Sequence, residues 1–175
     1  MSSLLILVNE KNEPIGEAEK QDVHEQGLLH RAFSVLLYRQ HQGKLELLLQ
    51  KRNPKKYHSG GMWTNTCCSH PRPGEETTVA AQRRLLEETG INLPLQEIAV
   101  FRYLAHFANG LIEHEIDHVF VAEFNELPQQ FDPAEIEVMK WIELNALKRE
   151  LDAMPYLYTP WFGRVLSEFE AWLPA

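Results

Sequence analysis

The stretch Ser69-His70-Pro71-Arg72-Pro73-Gly74-Glu75-Glu76-Thr77-Thr78-Val79-Ala80-Ala81-Gln82-Arg83-Arg84-Leu85-Leu86-Glu87-Glu88-Thr89-Gly90-Ile91 decides how the chain is read. It opens as a loop rich in proline and turns into a charged helix. The helix is predicted over Glu75–Thr89, with Gly90 as its stop, because glycine adopts the left-handed conformation that ends helices. Arg83 with Glu87, and Arg84 with Glu88, are spaced i,i+4. Taken alone, that spacing describes helix-surface ion pairs, each worth roughly 0.2–0.5 kcal/mol.

Outward from this helix the chain reads mainly as strands. Ala32–Tyr38 and Leu45–Gln50 are short, apolar and joined across a His-Gln-Gly turn, which predicts a hairpin. Ile98–Phe107 and Ile112–Phe124 flank Asn109-Gly110, a strong short-range hairpin signal. Leu4–Val8 and Val138–Leu144 are predicted as further strands. Thr159 as N-cap and Pro160 at the first helical position predict a second helix continuing through Trp161–Leu173. A third helix is predicted over Asn145–Leu151. Strands, helix, strands, helices in that order predict an α+β fold, a mixed sheet flanked by helices. A length of 175 residues suits one domain over 1–175.

The formal charge of −8 argues against a nucleic-acid surface, which needs a basic footprint, but leaves room for a local basic pocket that takes a phosphate. The two cysteines, Cys67 and Cys68, are adjacent and have no third partner, so free thiols and a reducing compartment are expected. The apolar run Leu4–Val8 is too short for a signal peptide or a membrane span, and no basic residues precede it. A cytoplasmic chain without membrane contact is expected.

Several groups of residues carry chemistry. In Glu113-His114-Glu115-Ile116-Asp117-His118, strand alternation puts Glu113, Glu115 and Asp117 on one face and His114, Ile116 and His118 on the other. Same-face carboxylates two residues apart lie ~7 Å from each other, so both can turn toward one cation, or one can bind metal while the other handles a proton. A solvated acidic face fits that pattern equally well. Cys68-Ser69-His70 reads as a nucleophile and base, a metal site, or a buried cysteine beside a surface histidine. Structural zinc is disfavoured because no second cysteine pair exists. His24 and His30 precede the first core strand. With His70, Glu113 and Glu115 they make a possible five-ligand set for Mn, Fe, Zn or Mg. His41, His58, His106, His114 and His118 have no supporting pattern.

From Ser69 to Ile91 the chain resembles the signature of the Nudix fold, in which helix glutamates hold metal against a diphosphate. It departs from that signature at Ser69, where the pattern has glycine, and at Arg84, where Nudix hydrolases carry a metal-binding glutamate. A guanidinium there suits bidentate grip on a diphosphate. Together with Trp63-Thr64-Asn65-Thr66-Cys67-Cys68-Ser69-His70-Pro71, Glu113-His114-Glu115 and Tyr156–Phe162, the whole chain resembles the type I isopentenyl-diphosphate Δ-isomerases, which have a Nudix-type α/β/α sandwich. The resemblance implies one metal held by His24, His30, His70, Glu113 and Glu115. It implies catalytic Cys68, chosen over Cys67 by its two-residue spacing from the metal histidine, and catalytic Glu115, with Tyr103 and Trp161 lining the pocket. It implies a second metal near Glu88, with Lys20, Arg52, Lys56 and Arg84 on the diphosphate, Lys56 being open to a one-residue shift from Lys55. The metals implied are Mg2+ and/or Mn2+, the substrate a small isoprenyl diphosphate, and the favoured state a monomer.

Two other functions are compatible with parts of the sequence. A Nudix pyrophosphohydrolase of a nucleotide or sugar diphosphate is supported by Glu75, Glu87 and Glu88 and opposed by Arg84. It leaves the Cys68–His70 and Glu113–Glu115 pairs without a role. A metal- or phosphate-binding module without chemistry would have no need for an acid–base pair beside the ligands.

Overall fold

The computed structural model describes residues 3–174. Nine strands form one sheet: β1 (Leu4–Val8), β2 (Pro14–Glu19), β3 (His30–His41), β4 (Lys44–Arg52), β5 (Trp63–Thr64), β6 (Cys67–Ser69), β7 (Gln96–His106), β8 (Ile112–Glu123) and β9 (Ile136–Glu143). Four helices accompany it: α1 (Lys20–Gln26), α2 (Thr77–Thr89), α3 (Leu144–Ala153) and α4 (Phe162–Trp172).

β3 is the organising strand. One edge pairs in parallel with β8, from His30 opposite Glu115 to Tyr38 opposite Glu123. The other edge meets three antiparallel partners in turn: β1 at His30, β6 at Phe33–Val35 and β4 from Leu37 onward. The β3–β4 hairpin closes through Gln42 (φ 51°) and Gly43 (φ 76°), two consecutive positive φ values that match the twist of the flanking strands. Past the Leu37–Leu48 pair, β4 leaves β3 for β5, its other edge staying paired with β9 from Glu46 to Arg52, and the segment leading into β6 enters the fork. Thr66 holds the fork open. Its hydroxyl accepts from the Leu37 N–H at 2.9 Å and donates to the Leu48 carbonyl at 2.7 Å, replacing a ladder bond that the divergence removes.

Strand alternation sorts two cores. Phe33, Val35, Leu37, Leu48 and Phe120 pack with Ala80, Ala81 and Leu85 of α2. Leu36, Leu47, Leu49, Val119 and Val121 pack with Leu147 of α3 and Phe162, Val165 and Phe169 of α4. On this second face β3 starts with His30, Ala32 and Ser34 before reaching Leu36. β8 likewise starts with Glu113, Glu115 and Asp117 before reaching Val119. The same sheet face is therefore a polar cleft at one end and hydrophobic core at the other.

The mixed sheet with helices on both faces agrees with the sequence, but several boundaries moved. α2 begins at Thr77 and not Glu75, because the Glu75 carboxylate turns back onto the Arg72 N–H at 2.9 Å and onto Arg83. α4 begins at Phe162. The Thr159 hydroxyl donates to Thr64 at 2.8 Å in place of capping, and it is the Thr159 carbonyl that accepts from the Phe162 N–H. Asn109-Gly110 sits inside the loop Phe107–Leu111, with Gly110 at φ 87°. The strand β2 and the helix α1 carried no sequence signal: β2 is an exposed edge containing Pro14 and Gly16, and α1 is 7 residues long.

Replacing Thr66 by valine keeps the shape but leaves the Leu37 N–H and the Leu48 carbonyl without their buried partner. A loss of roughly 1–3 kcal/mol is expected in urea unfolding. An unchanged midpoint would mean that the fork closes by itself.

Candidate active site

At the polar end of the sheet, four side chains from four segments converge: His24 on α1, His30 at the start of β3, His70 just after β6, and Glu113 on β8. Their ligand atoms all lie within 4.8 Å of one another. Backbone carbonyls set two of the rings. His24 Nδ1 lies 2.7 Å from the Lys20 oxygen and His30 Nδ1 2.9 Å from the Leu28 oxygen, so each Nδ1 carries the hydrogen and each Nε2 presents its lone pair inward. Those lone pairs face Glu113 Oε1 at 3.0 and 3.3 Å. Acceptors aimed at acceptors repel unless a cation lies between them, so the donor set fits a divalent metal. Glu115 stands beside the cluster, its Oε2 3.6 Å from His30 Nε2 and 4.0 Å from His70 Nε2.

Burial and charge divide the two glutamates. Burial pushes Glu113 upward, but a proton or a cation shared with His24 and His30, together with the His58 N–H, overcomes it and holds the group well below the usual carboxylate range. Glu115 is pushed well above that range by burial first, then by the charges of Glu113 and Asp117. His70 is held well below the usual imidazole range by burial and by neighbouring His30. In Asp117, fully buried, burial outweighs the 2.8 Å bond from the Ser34 hydroxyl and raises the group to about 7.

Cys68 lines the same cleft, together with Glu113, Glu115, His58, His70, Arg52 and Trp161. A buried network holds its sulfur. Thr159 donates to Thr64, Thr64 to Asn65 Oδ1 at 2.9 Å, and the Cys68 thiol to the same oxygen at 3.2 Å; the Trp161 indole donates to Sγ at 3.3 Å. Asn65 is itself fixed by donating to the Val35 and Cys67 carbonyls. Burial, and next the charge of Asp117, push the Cys68 thiol up to about 12. Tyr103 lies directly opposite Glu115 in the β7–β8 ladder.

A second concavity shares Cys68, Ser69 and His70 as its wall. Its other lining residues include Lys20, Arg52, Lys56, Arg84 and Glu88. Arg84 bonds Glu87 at 2.6 Å and Glu88 at 2.7 Å, and the cavity also contains Glu135, which pairs with Lys56. Among the described residues, five buried side-chain polar atoms have no hydrogen-bond partner: His30 Nε2, Arg52 Nε, Arg84 Nε, the Tyr103 hydroxyl and Asp117 Oδ1. Arg52 and Arg84 line the two concavities, His30 belongs to the four-residue cluster, and Tyr103 and Asp117 flank Glu115 across and along the sheet. Buried polar groups are nearly always satisfied, so their concentration here marks a place built for a polar ligand.

Of the residues proposed for the site, the structure brings all but Tyr103 into the four-residue cluster or the two cavity linings, with Glu115 lining the cleft beside the cluster instead of within it. It does so in two subsites: Glu88 belongs to the basic one and lies outside the four-residue cluster. Lys56 lines the pocket, whereas Lys55 is exposed. His58, without a supporting pattern in the sequence, is buried and donates to Glu113. Asn65 and Glu135 were also missed. All three lie in irregular segments, where no periodicity reports which way a side chain faces.

The NUDIX domain model matches residues 28–162. A Photorhabdus laumondii protein named isopentenyl-diphosphate Delta-isomerase 2 is 44% identical over 95% of this chain and 92% of its own length. Isopentenyl-diphosphate Delta-isomerases from Serratia proteamaculans and Photobacterium profundum are 45% and 46% identical, covering 98% and 93% of this chain and 93% and 92% of their own lengths. The Deinococcus radiodurans protein DR0079 shares the fold with a TM-score of 0.75 at 20% identity, over 94% of this chain and 97% of its own. The NUDIX domain of Shewanella oneidensis NrtR, solved with ADP ribose, superposes with a TM-score of 0.61 at 16% identity, over 82% of this chain and 86% of that one.

Burial, and next the charge of Lys56, lower the Lys20 ammonium to about 8. The protonated, anion-binding form is lost as pH rises through that value. Between pH 7 and pH 9 its fraction falls roughly tenfold. Calorimetric titration with inorganic pyrophosphate should therefore show wild-type affinity dropping about tenfold relative to Lys20→Arg over that interval. A constant ratio would remove Lys20 from the anion site.

Proposed function

The chain belongs to the Nudix family and, within it, to the isopentenyl-diphosphate Δ-isomerases, and from this membership and the geometry of the cleft we infer that it interconverts isopentenyl and dimethylallyl diphosphate. The observation that carries the reading is the meeting of two subsites at Cys68–His70: a basic one for the diphosphate, and a neighbouring one where a thiol and a carboxyl group flank a small cavity.

The reaction moves a double bond through a tertiary carbocation. A proton is added at the terminal alkene carbon, and another is lost from the carbon next to the one bearing oxygen. Cys68, with its thiol pushed up to about 12, carries a proton at neutral pH and holds it at Sγ. Glu115 is the second proton-handling group. The reaction is reversible, so the group that gives in one direction takes in the other. The Trp161 indole N–H fixes the sulfur, and its π face would stabilise the cation by ~2 kcal/mol or more when desolvated. His58, Tyr57 and Trp161 crowd the cleft and keep out water that would trap the cation. Lys20, Arg52, Lys56 and Arg84 bind the diphosphate by charge and by forked N–H donors. His24, His30, His70, Glu113 and Glu115 would hold Mg2+ or Mn2+, which when bound supplies positive charge that lowers the proton affinity of Glu115. A second metal bound with the diphosphate would fall to Glu88.

Arg84 opposes a pyrophosphohydrolase, since it puts a guanidinium where the Nudix signature carries a metal-binding glutamate. No helix among the described residues is long and apolar enough to cross a membrane. The proposal includes a single catalytic domain over residues 1–175, monomeric and cytoplasmic.

Incubation of isopentenyl diphosphate with the protein and Mg2+ in heavy water, followed by NMR, should yield dimethylallyl diphosphate carrying deuterium. Cys68→Ala and Glu115→Gln should lower kcat by roughly 10²–10⁴-fold. Cys67→Ala, in the α2 core, should leave kcat within about threefold, a range under one kcal/mol. Release of nucleotide or phosphate from nucleoside diphosphate derivatives, without deuterium exchange, would overturn the reading.

A further inference from the structure

His58 is 6% exposed, although it sits in the irregular segment between β4 and β5. Its Nε2 lies 3.1 Å from Glu113 Oε2, and its Nδ1 lies 3.2 Å from the Ser59 hydroxyl. A carboxylate only accepts, so Nε2 is the nitrogen that carries hydrogen, and Nδ1 accepts from Ser59. This is the opposite tautomer to His24 and His30, whose Nδ1 hydrogens are taken by backbone carbonyls. Those two rings turn lone pairs toward Glu113 Oε1, while His58 turns a hydrogen toward Oε2. The two oxygens of one carboxylate thus have separate partners: Oε1 faces the cluster that fits a metal, and Oε2 is held by a donor from outside it.

The segment that carries His58 is tightly built. The Arg52 and Gly61 N–H groups bond across its neck to Met62 and Arg52 carbonyls, each at 2.9 Å. Ser59 holds a positive φ of 55°, and any side chain at Gly60 would drive into the Pro54 carbonyl. At the tip, Asn109 donates to the Tyr57 carbonyl at 3.0 Å. The His58 ring stacks on Phe107 at 4.4 Å and 10° and meets Trp161 edge-on at 5.8 Å. These contacts join the segment to the β7–β8 turn and to the start of α4, so residues 53–62 roof the cleft.

We propose that His58 is a positioning residue for the metal centre. Its Nε2–H fixes the rotamer of Glu113 so that Oε1 faces the imidazoles, and the same bond ties the 53–62 segment to the metal cluster. The inference rests on the metal-dependent reading above and adds a residue to it. A ligating carboxylate whose outer partner is removed typically loses 10–100-fold in metal affinity.

The test is Mn2+ binding to the metal-stripped full chain, read as free Mn2+ by electron paramagnetic resonance. His58→Ala should bind roughly 10–100-fold more weakly than wild type. His58→Gln, whose amide N–H can reach the same oxygen, should stay within about threefold of wild type, less than the loss of one net hydrogen bond. If circular dichroism shows the alanine variant unfolded, His58→Asn replaces it, because its shorter amide cannot reach Glu113. Limited proteolysis supplies a second readout: Mn2+ should protect residues 53–62 in wild type and not in the alanine or asparagine variant. Equal Mn2+ affinity of that variant and wild type would overturn the proposal. So would a glutamine variant as weak as the alanine one, which would make His58 a ligand itself, and so would equal protection in both proteins. If wild type binds no Mn2+, the metal reading of the function fails as well; if wild type binds and the variant matches it, only the role of His58 fails.

Discussion

Everything at the cleft depends on the separation of β3 from β4 beyond Leu37 and Leu48. A continuous hairpin would leave no place for β6 and no gap in the sheet. The fork would expose two backbone groups, and the Thr66 hydroxyl satisfies both at once. Gln50, on the diverging β4, donates to the Thr66 carbonyl at 2.9 Å and so holds the next turn of the inserted segment. With that insertion fixed, Asn65 bridges Val35 and Cys67, and the thiol of Cys68 arrives at one known place beside Ser34. The short strand that carries the thiol is thus positioned by buried polar bonds and by only 3 residues of ladder. Such bonds are costly to leave half-made, which gives this segment one arrangement instead of several.

The cleft itself works against stability. Glu113, Glu115 and Asp117 are buried on one sheet face, two residues apart, and their like charges meet with little water between them. The chain meets this in graded fashion. The His58 N–H and a proton or cation shared with His24 and His30 keep Glu113 ionised, while burial and neighbouring charge favour the protonated forms of Glu115 and Asp117. The basic subsite is balanced differently, with Glu88 and Glu135 set against Arg84 and Lys56. A cation in the first subsite and an anion in the second each meet an excess of the opposite sign. Groups left strained or unpaired in this way are typical of sites where function has priority over stability.

Much of this was legible beforehand, and the reason differs from element to element. The face shared by Glu113, Glu115 and Asp117 follows from period two alone, and the structure reproduces it. The hairpin of β3 and β4 was visible in Gln42-Gly43 because only special backbone angles close a two-residue turn. His24 and His30 were candidate ligands by residue type, and the resemblance implied the same set. Nothing in their spacing says that one sits on a short helix and the other at the head of the central strand, with two backbone carbonyls choosing their tautomers. His58 and Glu135 were illegible for a related reason: in irregular segments a side chain's direction is set by tertiary contacts, here Phe107 for one and Lys56 for the other. The start of α4 was misread because Thr159 has a hydroxyl suited to capping, yet a tertiary partner, Thr64, takes it.

The two adjacent cysteines show what the structure adds to a spacing argument. Two residues before His70 is a rule borrowed from relatives; it selects Cys68 but gives no physical ground for excluding Cys67. The β3–β6 ladder gives one. Cys67 pairs with Val35 and Cys68 with Ser34, and neighbours on a strand point to opposite faces. Val35 belongs to the core under α2, so Cys67 is buried there with Ala80 and Leu85. Ser34 faces Asp117 at the floor of the cleft, so Cys68 lies there too, within reach of Asn65 and Trp161. A one-residue slip of β6 would bury the Cys68 thiol in the wrong core, and the bonds of Asn65 and Thr66 just before it are what forbid that slip.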